Sequence, residues 1–344
     1  MESISRCIYP AYSLAISNRA IKKINQVNFN YIWRKKTHYI KKTVLAKKYE
    51  DGGLEAIDFD YMNGTLKINW LKSFLNTNNL WFHIPRQIFK MLGGIEFLLR
   101  CDFLIQKLPI KLSLFHQQVL LYWKLLYNHN FTPHNSPIWN NRYITVRNKS
   151  LFYKEWLDKG IWSPVHLVDN TGQFLSYNDF CLKYGYFTNV KTFKLVTKAI
   201  PDSILHLIKG IVTTSTNFTY PQLPLILIGD CNFREIPIQN KTIRYLFIHI
   251  LFPFQSYKNC ILNFFPKDTV PLLRVQYLKF PIPPKMKEIH YRTFNGIYPS
   301  NDFLHQRFGF ETNCCSFCNT DIETTDHLFF HCNFSSTFWQ DVFK

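Results

Sequence analysis

The sequence predicts a mainly α fold, a helical chain in several parts that closes in a small cysteine-rich knuckle. Two observations carry this: apolar residues recur at helical spacing in most segments, and Pro- and Gly-marked joints separate those segments. Ser17 is placed to cap a first helix with the apolar face Ile21, Ile24, Val27 and Tyr31, leaving Lys22 and Lys23 off that stripe. Gly52-Gly53 reads as a turn, and Met62, Leu66, Trp70, Leu71, Phe74 and Leu75 form a second helical face. Phe115 to Tyr127 reads as a helix; Lys241 to Leu251 fits either a helix or a buried strand. A further helix begins within Leu151 to Trp156 and is closed by Gly160. Composition divides the chain into a basic helical segment over 1–79, an aromatic-rich and mostly helical middle over 80–284, and a helix plus knuckle over 285–344.

The 344 residues include 41 Lys+Arg against 23 Asp+Glu, a formal net charge of +18. With 47% hydrophobic and 17% aromatic residues, the chain is far too apolar for a disordered one. That surplus favours a polyanionic partner over an acidic small molecule. No apolar run reaches the ~18 residues of a membrane span. With no clear secretory signal either, the expectation is an intracellular protein of the nucleus or cytoplasm, with no membrane partner. Five cysteines are scattered (Cys7, Cys101, Cys181, Cys231 and Cys260), while Cys314, Cys315, Cys318 and Cys332 crowd the C-terminus. An odd total of nine suits a metal site in a reducing compartment better than a disulfide framework.

Cys315-Ser316-Phe317-Cys318 presents two thiolates from one turn, and His327 and Cys332 follow five residues apart. Four such soft ligands suit one tetrahedral Zn²⁺, and a site closed by four protein ligands is structural because nothing is left open for water or substrate. Cys314 can replace Cys315, and His331 can replace His327 or Cys332; the C-x-x-C spacing favours Cys315. Thr325 and Asp326 stand where a helix N-terminus is expected. From Glu311 to Lys344 five acids face one lysine, and three thiolates on Zn²⁺ add one more negative charge, so phosphate is repelled there.

Between Asn18 and Lys48 lie ten Lys/Arg and no acid. Within it Trp33, Arg34, Lys35, Lys36, Lys41, Lys42, Lys47 and Lys48 combine cations for phosphates with a ring for an unpaired base. The same run has the composition of a nuclear import signal. Asp58-Phe59-Asp60 superficially suggests a metal-binding carboxylate pair, but a turn or helix cap explains it more simply.

Cys315-Ser316-Phe317-Cys318, Glu323-Thr324, His327-Leu328-Phe329-Phe330, Cys332 and Phe338-Trp339 together resemble the zinc-binding region that ends LINE-type non-LTR retrotransposon reverse transcriptases. The run His290 to Asn301 is similar to the helix and Pro-x-Asn turn before it. Ile138-Trp139-Asn140-Asn141 with Phe152 and Trp156, and Phe29 to Lys36 with Gly52-Gly53-Leu54, resemble earlier parts of the same C-terminal region. The resemblance implies a truncated C-terminal segment, beginning past the polymerase thumb, that binds RNA rather than DNA. No Asp-Asp pair occurs in the chain, and nucleotidyl transfer needs carboxylates to hold its metal ions. A non-catalytic RNA-binding remnant is therefore expected, with one structural Zn²⁺ and no enzymatic activity. The alternative is a protein-interaction module that docks onto an intact retrotransposon polymerase.

Overall fold

The computed structural model describes residues 2–33, 40–127, 129, 132, 135–214, 221–223, 225–228, 230–236, 239–251, 266 and 268–344. Helices dominate, as expected; among the described residues the strands are two short antiparallel pairs. The chain forms two compact units, one of Met1–Ser17 with Met62–Phe247 and one of Asn18–Tyr61 with Ile248–Lys344. The basic segment and the cysteine-rich end, which composition sets apart, thus belong to one unit. Among the described residues no helix is long and apolar enough to cross a membrane.

The first unit holds α1 (Glu2–Ser13), most of α4 (Phe59–Asn76), α5 (His83–Lys90), α6 (Ile95–Leu99), α7 (Leu114–Leu126), α8 (Lys154–Asp158), α9 (Tyr177–Tyr184), α10 (Val190–Ala199), α11 (Asp202–Thr214) and most of α12 (Asn240–Leu251). The segment left open between helix and strand, Lys241 to Leu251, is therefore helical. Its hairpins are β1 (Thr145–Val146) with β2 (Lys149–Ser150), and β3 (Leu227–Ile228) with β4 (Cys231–Asn232).

Helix α4 is the axis of this unit. Of the expected face, Met62, Leu66, Trp70, Leu71 and Phe74 are buried and Leu75 is half-buried, but Asn63, Thr65, Lys67, Asn69 and Lys72 on the other sides are buried too. A helix buried all round must satisfy its polar groups internally. Lys67, 0% exposed, donates to the carbonyls of Ala11 and Leu14; Lys72, 1% exposed, donates to those of Phe233, Arg234 and Ile236. Rings then pack in two groups. Trp70 lies 5.4 Å from Phe74, 5.5 Å from Phe82 and 5.1 Å from Phe115. Trp156 lies 5.7 Å from Trp139 and 4.8 Å from Phe180. Edge and offset pairs of this kind add about 0.5–1.5 kcal/mol each beyond burial.

The second unit holds α2 (Asn18–Ile32), α3 (Lys42–Leu45), α13 (Val270–Lys279), α14 (Pro284–Phe294), α15 (Asn301–Phe308) and α16 (Asn333–Val342). Phe29, Ile40, Val44, Leu45 and Ile297 form its core, with Ile32, Trp33, Leu54, Ala56 and Tyr291 against it. The apolar face expected on α2 is rotated. Val27 and Tyr31 are exposed, Ile21 and Phe29 are buried, and Asn25, Asn28 and Ile32 are half-buried beside them. The asparagines take apolar positions because each has a fixed partner: Asn25 bonds Asp58 and the Phe59 N–H, and Asn28 the Ile57 carbonyl. Asp58 also accepts from the Asp60 N–H at 2.8 Å, so this carboxylate caps α4.

Candidate metal centre and basic segment

The cysteine-rich end has almost no core of its own. Beyond Ile297 the buried side chains are Ser300, Cys315, Glu323, Cys332 and Ser335. No large apolar residue is among them, and Leu304, Leu328, Phe329 and Trp339 are only half-buried, so much of what holds this segment falls to the cysteines.

A short bridge between Cys314 and Ile322 and the Cys315 N–H bond to the Asp321 carbonyl (2.8 Å) close a tight loop. Asn319 ends the C-x-x-C turn at φ 55°, and its N–H bonds the Cys315 carbonyl at 2.9 Å. The Phe317 N–H points at the Cys315 Sγ, 3.4 Å away, as suits a thiolate. The next piece is one π-type turn over His327–His331, where the Cys332 N–H bonds the His327 carbonyl at 2.7 Å. On an α-helix residues five apart diverge by about 140°. The wider turn brings His327 and Cys332 back to one side, which makes their spacing usable. Its cap is Thr324, one residue before the expected pair, whose Oγ1 accepts the His327 N–H at 3.0 Å. The turn strands the carbonyls of Leu328 and Phe329; α16 satisfies them through Ser335 Oγ (2.5 Å) and Trp339 Nε1 (2.7 Å).

Ligand atoms of Cys315, Cys318, His327 and Cys332 all lie within 4.8 Å of one another. Cys315 and Cys332 Sγ are 3.9 Å apart, and Cys318 Sγ is 3.4 Å from His327 Nε2. A tetrahedral zinc ion with bonds of ~2.3 Å to sulfur and ~2.0 Å to nitrogen separates its ligands by about 3.5–3.8 Å. The donor set and spacing therefore fit one Zn²⁺. The sulfur pair is much too far apart for a disulfide, and these cysteines are free. Cys314 and His331 are exposed and outside the group. The Thr320 hydroxyl, with the N–H groups of Asp321 and Thr320, lowers the Cys318 thiol to about 6, whereas burial pushes Cys315 up.

Glu323, whose type and spacing alone signal no role, is 4% exposed. Its carboxylate accepts the Ser316 N–H and hydroxyl, both at 2.6 Å, and the Asn301 N–H at 2.9 Å. Burial raises its pKa, but these hydrogen bonds outweigh burial and hold it below the ordinary carboxylate value. One side chain thus ties the C-x-x-C turn to the N-terminus of α15, where Ser300 is the cap.

Around the basic segment, Lys41 and Lys42 are exposed, and the Lys42 ammonium lies over the Phe29 ring at 5.0 Å. Lys48 is half-buried, and Lys47, 6% exposed, lies inside. Trp33 packs partly against the core instead of standing free. Arg34, Lys35 and Lys36 fall outside the described residues. The following turn is rigid: a Cβ on Gly53 would collide with the Lys47 carbonyl, and Gly52 has φ +78°. Tyr291 Oη donates to the Gly52 carbonyl (3.1 Å) and Arg274 to that of Glu50 (3.1 Å), anchoring the turn to α14 and α13.

Residues 258–339 match a family described as zinc-binding in reverse transcriptase. The match takes in all four metal-ligand candidates, Glu323 and Trp339. No curated protein matches the chain.

Proposed function

We propose that the chain is a non-catalytic nucleic-acid-binding protein that takes RNA in preference to DNA, stabilised by one structural Zn²⁺ and derived from the C-terminal region of a LINE-type reverse transcriptase. The observation that carries this is the ten cations without an acid between Asn18 and Lys48, in the same compact unit as the cysteine–histidine cluster. The likeness of residues 258–339 to zinc-binding segments of reverse transcriptases supports the origin. With the cluster closed by four protein ligands, the metal has no open position for chemistry, and binding falls to the basic segment.

The test is titration of single-stranded RNA across a salt series. If Arg34, Lys35, Lys36, Lys41 and Lys42 each neutralise a phosphate, log affinity falls with log salt at a slope near −3.5, about −0.7 per contact. The double variant Lys41→Glu and Lys42→Glu weakens binding and flattens the slope. Salt-independent binding, or none, sinks the proposal. A second reading, a protein-docking module for an intact polymerase, is favoured by Phe317, Phe330, Phe334, Phe338 and Phe343, all exposed on an acidic segment. It requires partner capture that survives the same charge reversal.

A further inference from the structure

The charge surplus is not confined to the basic run. The first unit holds 22 Lys/Arg against 10 Asp/Glu, a surplus of 12, two-thirds of the chain's +18. One groove gathers part of it. Thr145, Val146, Lys191, Lys194, Leu195, Lys198 and Ala199 line an open groove of about 530 Å³ between the β1–β2 hairpin and α10.

The local sequence fixes this arrangement. Asn189 caps α10 by accepting the Lys191 N–H at 2.8 Å. Phe193, Val196 and Ile200 are buried, and that stripe holds the helix in one rotation. Lys191, Lys194 and Lys198 follow the same i, i+3, i+7 spacing two residues earlier, so all three emerge together, exposed, over about 10 Å of helix. No acid lines the groove, and among the described residues none of the three forms an ion pair. The nearest acid along the chain is Asp202, in the first turn of α11. The facing hairpin turns through Arg147 and Asn148, and Arg147 is exposed beside the groove-lining Val146.

We propose that this groove grips the phosphate backbone of a double-stranded nucleic acid, a second contact separate from the basic segment. The proposal rests on the nucleic-acid reading above and adds the kind of strand. The lining has cations for phosphate but no aromatic ring, and single strands without sequence preference are held largely by base stacking on rings. A row of ammonium groups on a rigid helix suits a backbone whose phosphates are fixed in space, with Val146, Leu195 and Ala199 against the sugars. The ammonium groups are offered to phosphates, which carry no sequence information, so the contact is indifferent to sequence.

The test compares the full chain with its Lys191→Gln, Lys194→Gln, Lys198→Gln variant on a 20-base-pair RNA duplex and on one of its strands. Glutamine keeps exposed helix positions intact, and unchanged circular dichroism and zinc content confirm that the variant folds. Duplex binding should weaken and its log–log salt slope shrink by about 2.7, close to 0.9 per contact, while single-strand binding keeps its slope. An unchanged duplex slope, with single-strand binding intact, overturns the groove and spares the basic segment. Equal loss on both probes overturns the duplex assignment. A wild-type chain that binds neither probe overturns the nucleic-acid reading itself.

Discussion

Removing the metal should unfold the cysteine-rich end while leaving the first unit folded. Beyond Ile297 full burial is confined to Ser300, Cys315, Glu323, Cys332 and Ser335, and the apolar Leu304, Leu328, Phe329 and Trp339 are only half-buried, so the hydrophobic term left to hold the segment when the thiolates are released is small. Structural zinc supplies apparent free energies of about 10–16 kcal/mol in small metal-folded units, comparable to the whole stability of an ordinary domain. Two amides report the event directly: Cys315 N–H, bonded to Asp321 at 2.8 Å, and Cys332 N–H, bonded to His327 at 2.7 Å. Each tenfold in protection corresponds to about 1.4 kcal/mol. If even about 4 kcal/mol of the metal's contribution is lost, hydrogen exchange at both amides accelerates roughly a thousandfold on chelation. Amides of α4 and α7, held by the aromatic core of the other unit, keep their rates. Chelation that strips the zinc by elemental analysis yet leaves Cys315 and Cys332 protected would refute the argument.

Glu323→Gln keeps the shape but removes the charge that gathers Ser316 and Asn301. It should destabilise the knuckle by about 1–3 kcal/mol and lower zinc affinity in a competition assay with a metallochromic chelator; unchanged affinity would reduce Glu323 to a passive contact. Lys72→Ala leaves the carbonyls of Phe233, Arg234 and Ile236 without their donor and should cost about 3 kcal/mol or more, read as a lower urea midpoint for the first unit. His166 is buried, and burial lowers its pKa to about 4 from 6.5. A histidine held neutral when folded gives stability that is complete above pH ~6.5 and lost as pH falls towards 4, by at most about 3 kcal/mol. Urea titrations followed by circular dichroism should therefore show a midpoint that drops across that window in the wild type, and less in His166→Asn.

How much was legible in the sequence follows from which interactions are local. The mainly α class, the helix through Trp70 and the helix before Tyr127 came from periodicity, which reports burial one turn at a time. The C-x-x-C turn with His327 and Cys332 was legible because ligand chemistry leaves few residue types to choose from. The rotated face of α2 was not, since Asn25 and Asn28 look polar until Asp58 and the Ile57 carbonyl arrive from more than twenty-five residues away. Nor was the π-type turn: no residue in His327–His331 signals it, and its cause is distributed over Thr324, Ser335 and Trp339.

Lysine is where sequence and structure part most sharply, and the reason bears on function. In a list of residues, Lys47, Lys67 and Lys72 count as equal parts of a +18 surplus. In the fold all three are buried, and the latter two spend their donors on backbone carbonyls; burial lowers Lys67 to about 8. A cation inside the protein releases no counterion from a nucleic acid, so these residues add nothing to the salt dependence of binding. Lys191, Lys194 and Lys198 are unremarkable in sequence, spread over eight residues among apolar neighbours, yet they share one exposed face. What decides a lysine's role is the face on which its helix is pinned, here by Phe193 and Val196 for α10 and by the surrounding core for α4. If the chain binds nucleic acid as proposed, the slope of binding against salt measures the exposed subset of the charge, and it should come out far below the value the net charge alone suggests.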